Sequence, residues 1–143
     1  MTIHINIGSN LGDRAGYIAA AVSKLCDLLH GECKVSEPFE SEPWGYDSSN
    51  RFMNVGVMID IDEPLAPEEI LDRLQQAEKA VDAGPHRDES GKYVDRCVDI
   101  DLIAVDDIVC DTPRLTLPHP RMHLREFVLA PLAQLDPRWR HPV

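Results

Sequence analysis

Val98-Asp99-Ile100-Asp101-Leu102-Ile103 sets two carboxylates two positions apart inside an apolar run. The composition is that of a β-strand, whose side chains alternate between faces. Asp99 and Asp101 therefore share one face, their roots roughly 7 Å apart by strand rise. Val98, Ile100 and Leu102 share the other face and suit a core. Two anions on one face of an apolar strand repel each other and lose hydration when covered. A hard cation such as Mg²⁺ relieves that, because it takes carboxylate oxygens. The pattern also fits the outer face of an edge strand turned to water. The segment alone favours that plainer reading.

Upstream, Ile3, Ile5 and Ile7 alternate with His4 and Asn6, a short first strand. It runs into the turn-rich Gly8-Ser9-Asn10-Leu11-Gly12-Asp13. Tyr17, Ile18, Ala21, Val22, Leu25, Leu28 and Leu29 recur at helical spacing, closed by Gly31. Cys33 to Phe39 reads as a second strand, and 41–51 as a polar, turn-prone loop. Phe52 to Ile61 reads as a third strand, with Phe52, Asn54, Gly56 and Met58 on one face. Pro67 suits the first turn of a second helix, whose apolar face is Ile70, Leu71, Leu74, Ala77 and Val81. Residues 82–95 form a second loop, of a length that is often functional. The aspartate strand spans 96–105. A short strand, Ile108 to Cys110, and a helix from about Leu124 to Gln134 complete the chain. The order β-α-β-β-α-β predicts an α+β fold. Its expected form is a ferredoxin-like antiparallel sheet with helices on one face and a C-terminal extension.

The 143 residues suggest one domain, 1–143, with a real core. A balance of 14 basic against 25 acidic residues argues against a broad nucleic-acid surface. It leaves room for a small anionic ligand held by a few arginines and metal ions. Cys26, Cys33, Cys97 and Cys110 show no CxxC and no close Cys/His pairing, and read as reduced thiols. No apolar stretch reaches membrane-spanning length. Met1-Thr2-Ile3-His4 lacks the charged start of an export signal. The expected compartment is the cytoplasm.

The open face of such a sheet, fringed by two long loops, is a natural cleft. Asn54, Asp99 and Asp101 would look into it. Arg114-Leu115-Thr116-Leu117-Pro118-His119 gathers a guanidinium, a hydroxyl and an imidazole, the residue types that bind phosphate. Arg121 and Arg125 add cations nearby. Each of these arginines also fits a solvated surface, and His119 fits a turn between two prolines. Trp44 and Phe52 suit either stacking on a flat heterocycle or covering the core. Gly8-Ser9-Asn10-Leu11-Gly12 lacks the Lys-Ser/Thr ending of a Walker sequence and the spacing of a dinucleotide fold.

Five segments together resemble one family, the 6-hydroxymethyl-7,8-dihydropterin pyrophosphokinases of folate biosynthesis. They are Ile7-Gly8-Ser9-Asn10-Leu11-Gly12-Asp13; Glu42-Pro43-Trp44-Gly45 with Phe52-Met53-Asn54; Asp95-Arg96-Cys97-Val98-Asp99-Ile100-Asp101-Leu102; Leu115 to Met122; and Arg125 to Leu132. Each is weak alone; in this order and spacing they are specific. The resemblance implies transfer of the β,γ-pyrophosphoryl unit of ATP to the hydroxymethyl oxygen of the pterin, releasing AMP. It implies two Mg²⁺ ions on Asp99 and Asp101, with Arg96 beside them as a catalytic residue. It assigns Ser41, Pro43, Trp44, Gly45, Phe52, Asn54 and Phe127 to the pterin. Gln75, Glu78, Arg87, Arg96, Arg114, Thr116, His119 and Arg125 fall on the ATP side. The stretch Val81 to Arg87 departs from the Gly-Arg pair of many relatives, with Arg87 the candidate replacement. The partners expected are ATP and hydroxymethyldihydropterin, with no nucleic acid and no membrane. A binding module without turnover and an acidic interaction domain are the competing readings; Asn54, Asp99, Asp101 and His119 speak against both.

Overall fold

The computed structural model describes residues 1–42, 50–82 and 97–143. The elements are β1 (Thr2–Ser9), α1 (Arg14–Leu29), β2 (Glu32–Val35), β3 (Phe39–Ser41), β4 (Phe52–Asp60), α2 (Pro67–Val81), β5 (Asp99–Val105), β6 (Cys110–Asp111) and β7 (Thr116–Leu117). A single 3-10 turn, Met122–Leu124, precedes α3 (Glu126–Leu135). The fold is α+β: β2, β4, β1 and β5 lie in that order, every pairing antiparallel, and β3 also pairs with β4.

Alternation decides what each face does. Ile3, Ile5 and Ile7 of β1 and Val55, Val57 and Ile59 of β4 are buried in one core with Val98, Ile100 and Leu102. The same core takes Ile18, Ala21, Leu25 and Leu29 from α1 and Ile70, Leu74 and Ala77 from α2. Both helices therefore lie on one face, where the periodicity puts their apolar stripes. Local signals start them: the Asp13 carboxylate accepts from the Gly16 amide at 3.1 Å. Pro67 opens α2, with Glu68 and Glu69 in its first turn.

The C-terminal extension crosses to the opposite face. Ile103, Ala104, Met122, Val128 and Leu132 form a second, smaller core there. Two features admit α3. The β1–β5 register shifts between His4 and Ile5, so that Ile5 pairs with Leu102 but His4 with Ala104. That bulge sends both Ile103 and Ala104 towards α3. In β4, a Cβ on Gly56 would stand 2.9 Å from the Pro131 Cβ, so glycine permits the close approach of the helix.

Three local expectations change. The second strand is two strands, broken at Ser36-Glu37-Pro38. The Ser36 hydroxyl accepts the Gly56 amide at 2.8 Å, replacing a ladder carbonyl, and Pro38 has no amide to give. The short strand after Asp107 falls at Cys110–Asp111 and pairs with Thr116–Leu117, which the pattern did not mark. Cys26 and Cys33 are joined in a disulfide rather than reduced. Seven residues apart, they face each other across the α1–β2 turn with Cα atoms 6.5 Å apart, within bridging reach. Cys97 and Cys110 are not bonded. Among the described residues no helix is long and apolar enough to cross a membrane.

Candidate active site

The helix α3 covers only part of its face, and the chemistry-bearing residues occupy the remainder. Register builds the site. Asn54 of β4 pairs with Gly8 of β1, and Gly8 pairs with Asp99 of β5. One step along, Asn6 pairs with Asp101. Asn54, Gly8 and Asp99 thus form a row across three strands. With strands about 4.8 Å apart, the two outer residues stand roughly 10 Å from each other.

Each end of the row is held in place. Both N–H groups of the buried Asn54 amide are committed: Nδ2 donates to the Phe39 carbonyl at 3.1 Å and to the Ser41 hydroxyl at 2.8 Å. Oδ1 is left as the acceptor, turned over Gly8. A Cβ on Gly8 would lie 3.0 Å from that oxygen and 3.3 Å from the Phe52 ring. Gly8 brings no side chain of its own, and that lets the Asn54 amide and the Phe52 ring close over the middle of the row. At the other end Asp99 and Asp101 are half-buried on β5. The Arg125 guanidinium stands 4.0 Å from Asp101 and 5.6 Å over the Phe127 ring centroid. Asn6 donates to the Phe127 carbonyl at 2.9 Å, fixing the start of α3 against the sheet.

His119 enters from the segment between β7 and α3. Its amide donates to the Ile103 carbonyl at 2.8 Å, and its Nδ1 accepts the Arg121 amide at 3.2 Å. The ring proton therefore sits on Nε2. Burial, then the nearby Arg125 charge, lower its pKa to about 4, against the pull of Asp99. At neutral pH it is an uncharged N–H donor beside the carboxylates.

These positions bring together Asp99, Asp101, His119, Arg125 and Phe127, and place Ser41, Phe52 and Asn54 at the far end of the row. Other expected residues stand elsewhere. Arg114 is exposed and binds Asp72 of α2 at 2.5 Å, a hydrogen bond that raises its pKa. The Thr116 hydroxyl donates to Asp111 at 3.3 Å within the β6–β7 pair. Gln75 is exposed on α2. The Glu78 carboxylate accepts the Ile100 amide at 2.9 Å, facing β5 rather than solvent. Pro43, Trp44, Gly45, Arg87 and Arg96 lie outside the described residues. Asn6 and Gly8 were not singled out as site residues. Their signal was present in the alternation Ile3-His4-Ile5-Asn6-Ile7-Gly8, which puts both on the polar face.

A family model described as 7,8-dihydro-6-hydroxymethylpterin-pyrophosphokinase (HPPK) matches residues 4–137. The chain belongs to this family. Curated relatives share the name 2-amino-4-hydroxy-6-hydroxymethyldihydropteridine pyrophosphokinase. The chain is 35% identical to the one from Aquifex aeolicus over 142 residues, 99% of this chain and 84% of that protein. It is 35% identical to the Porphyromonas gingivalis protein, covering 98% and 93%. It is 36% identical to the Bacillus subtilis protein over 137 residues, covering 92% and 76%. The HPPK match contains β1 from His4 onward, β4, β5 and the His119–Phe127 segment, so every described part of the row lies inside it. Among the described residues no three His, Cys, Asp or Glu side chains group into a closed metal site. The Asp99–Asp101 pair offers oxygens only, and the Asp101 side chain is 31% exposed.

Proposed function

We propose that this HPPK-family chain transfers the β,γ-pyrophosphoryl group of ATP to the hydroxymethyl oxygen of 6-hydroxymethyl-7,8-dihydropterin. The hydroxyl oxygen forms a bond to the β-phosphorus, the bond from that phosphorus to the α,β-bridging oxygen breaks, and AMP leaves. One observation carries the reading: the Asn54–Gly8–Asp99 row sets a fixed amide acceptor and the carboxylate pair on one face of three bonded strands. The row is roughly 10 Å long by the strand spacing, so a bicyclic heterocycle held at Asn54 extends its hydroxymethyl arm towards the carboxylates.

The residues divide the work by position. Asn54 Oδ1 accepts from ring N–H groups of the pterin, because the amide's own N–H groups are already used. Phe52 and Phe127 flank the ring, and Ser41, Pro43, Trp44 and Gly45 complete its pocket. Arg125 and neutral His119 face the phosphates, one as a cation and one as an uncharged donor. By resemblance alone Arg87, Arg96, Arg114, Thr116 and Gln75 are assigned to the nucleotide side, and Arg114 would have to leave Asp72 to reach it. Two half-exposed carboxylates with room for phosphate and water oxygens suit Mg²⁺, which keeps several such ligands. Held by Asp99 and Asp101, Mg²⁺, two ions by resemblance, would offset triphosphate charge and align the β-phosphorus for in-line attack. No described side chain is an obvious strong base, so the rate rests on positioning and charge stabilisation.

The β2-β4-β1-β5 order supports the ferredoxin-like form of the α+β fold, built as one domain over 1–143. Titration calorimetry with the pterin, a non-hydrolysable ATP analogue and Mg²⁺ tests the site. A ternary complex is expected; its absence would sink the enzyme reading. A complex that yields no AMP once ATP is supplied favours a binding module instead.

A further inference from the structure

We propose that Asp82, acting with Glu78, is a positioning residue that holds the Asp99–Asp101 pair in register for the proposed reaction. It rests on the reading above, but its own observations are separate. Glu78 lies in the last turn of α2, and Asp82 caps that helix, its amide donating to the Glu78 carbonyl at 2.7 Å. Four residues apart, their side chains share one side of the helix. Both reach β5. Asp82 Oδ2 accepts the Cys97 amide at 3.0 Å and the Val98 amide at 3.4 Å. Glu78 Oε2 accepts the Ile100 amide at 2.9 Å.

Strand geometry explains why those amides need partners. Among the described residues, β5 is the outermost strand beyond β1. Alternate amides along a strand point to opposite sides, so those of Val98 and Ile100 point away from β1. A sheet interior would meet them with carbonyls; here two carboxylates do so. Ile100 stands between the two aspartates, and Cys97 and Val98 lead into the first. The contacts thus fix the backbone on both sides of Asp99, and with it the pleat that turns both aspartates to the open face. Helix preference does not account for these side chains, since a carboxylate near a helix C-terminus opposes the helix dipole. Their partners on β5 do.

The mechanism is a hydrogen bond to backbone, not a charge near the metal, and the two make opposite forecasts. Asp82→Asn keeps an acceptor oxygen and removes the charge; Asp82→Ala removes both. Mg²⁺ affinity is measured by calorimetry on the whole chain in the presence of a non-hydrolysable ATP analogue. Amide exchange at Cys97 and Val98 is followed by NMR in the same variants. Asp82→Ala is expected to weaken Mg²⁺ binding roughly tenfold or more, the usual size of a lost supporting contact, and to speed exchange at Cys97. Asp82→Asn is expected to stay near wild type in both. Wild-type Mg²⁺ affinity in Asp82→Ala overturns the proposal, and so does an Asp82→Asn that falls as far as the alanine variant. If Asp82→Ala does not fold, exchange in the wild type decides. Protection at Cys97 and Ile100 supports the brace, and open-chain exchange rates there overturn it. A wild type that binds Mg²⁺ and nucleotide but releases no AMP would break the functional reading while leaving this comparison intact.

Discussion

One face of the sheet carries two regions built from the same strands and finished in opposite ways. Over the first, α3 lies close: Gly56 meets Pro131, and Ile103, Val128 and Leu132 close a small core. Its polar side chain turns inward, with His4 Nε2 3.2 Å from Asp136 at the end of α3. Over the second, among the described residues, no helix lies; Asp99 and Asp101 stay partly exposed, with Asn54 and Gly8 buried on the same face of the bonded strands. In the covered region polar groups are satisfied within the chain and serve stability. In the open region Asn54 is held by Phe39 and Ser41, and the carboxylates stay partly exposed. Alternation with a period of two supplies both regions; only the reach of α3 separates them.

Substitutions at matched places should break the two regions differently. Asp99→Ala or Asp101→Ala is expected to lower AMP release by roughly 10²- to 10³-fold, the size of losing one charge-stabilising group. Melting temperature should hardly move, and near-normal AMP release would count heavily against the mechanism. Gly8→Ala presses on Asn54 Oδ1 and the Phe52 ring without touching the carboxylates. Steady-state kinetics should show kcat/KM for the pterin falling about tenfold, consistent with a small misplacement of a bound reactant. Equal losses for pterin and ATP would argue that Gly8, Asn54 and Phe52 do not form the pterin end of the row.

On the covered side, Gly56→Ala drives a methyl into Pro131. Chemical denaturation should register a loss of about 1–3 kcal/mol, with turnover per folded molecule kept. The reverse pattern would mean that α3 belongs to the site rather than the scaffold. The smallest effect expected is on pH. Burial lowers the His4 pKa below its ordinary 6.5, outweighing Asp136 and the more distant Asp60 and Asp106. A histidine kept neutral by the fold resists protonation, so its contribution is complete above 6.5 and is lost as pH falls through the lowered value. Denaturation midpoints of wild type should therefore decline below pH 6.5 more steeply than those of His4→Gln. Parallel declines would remove His4 as the cause.

Much of this was legible in the chain itself. Ile3-Ile5-Ile7 and Val55-Val57-Ile59 have one period and one meaning, so β1, β4 and their faces follow from them. The stripes Ile18-Ala21-Leu25 and Ile70-Leu74-Ala77 likewise mark α1 and α2. Asp99 and Asp101 share a face in the structure as their spacing requires. What escaped depends on contacts between distant residues. The break at Ser36 needs Gly56 as its partner. The β6–β7 pair has two residues per strand, too few for any period. The Cys26–Cys33 bond follows from the turn that joins α1 to β2, not from cysteine spacing. Gly8 became part of the site only when register put it between Asn54 and Asp99. Glu78 read as an ATP-side residue and Asp82 as the start of a loop until β5 lay beside them.

The most direct test of the account is the identity of the nucleotide product. Purified chain is incubated with ATP, 6-hydroxymethyl-7,8-dihydropterin and Mg²⁺, and products are separated and weighed by mass spectrometry. The account requires AMP and pterin diphosphate in equal amounts, both dependent on the pterin and both lost in Asp99→Ala. ADP in place of AMP, or AMP formed equally well without the pterin, would contradict it.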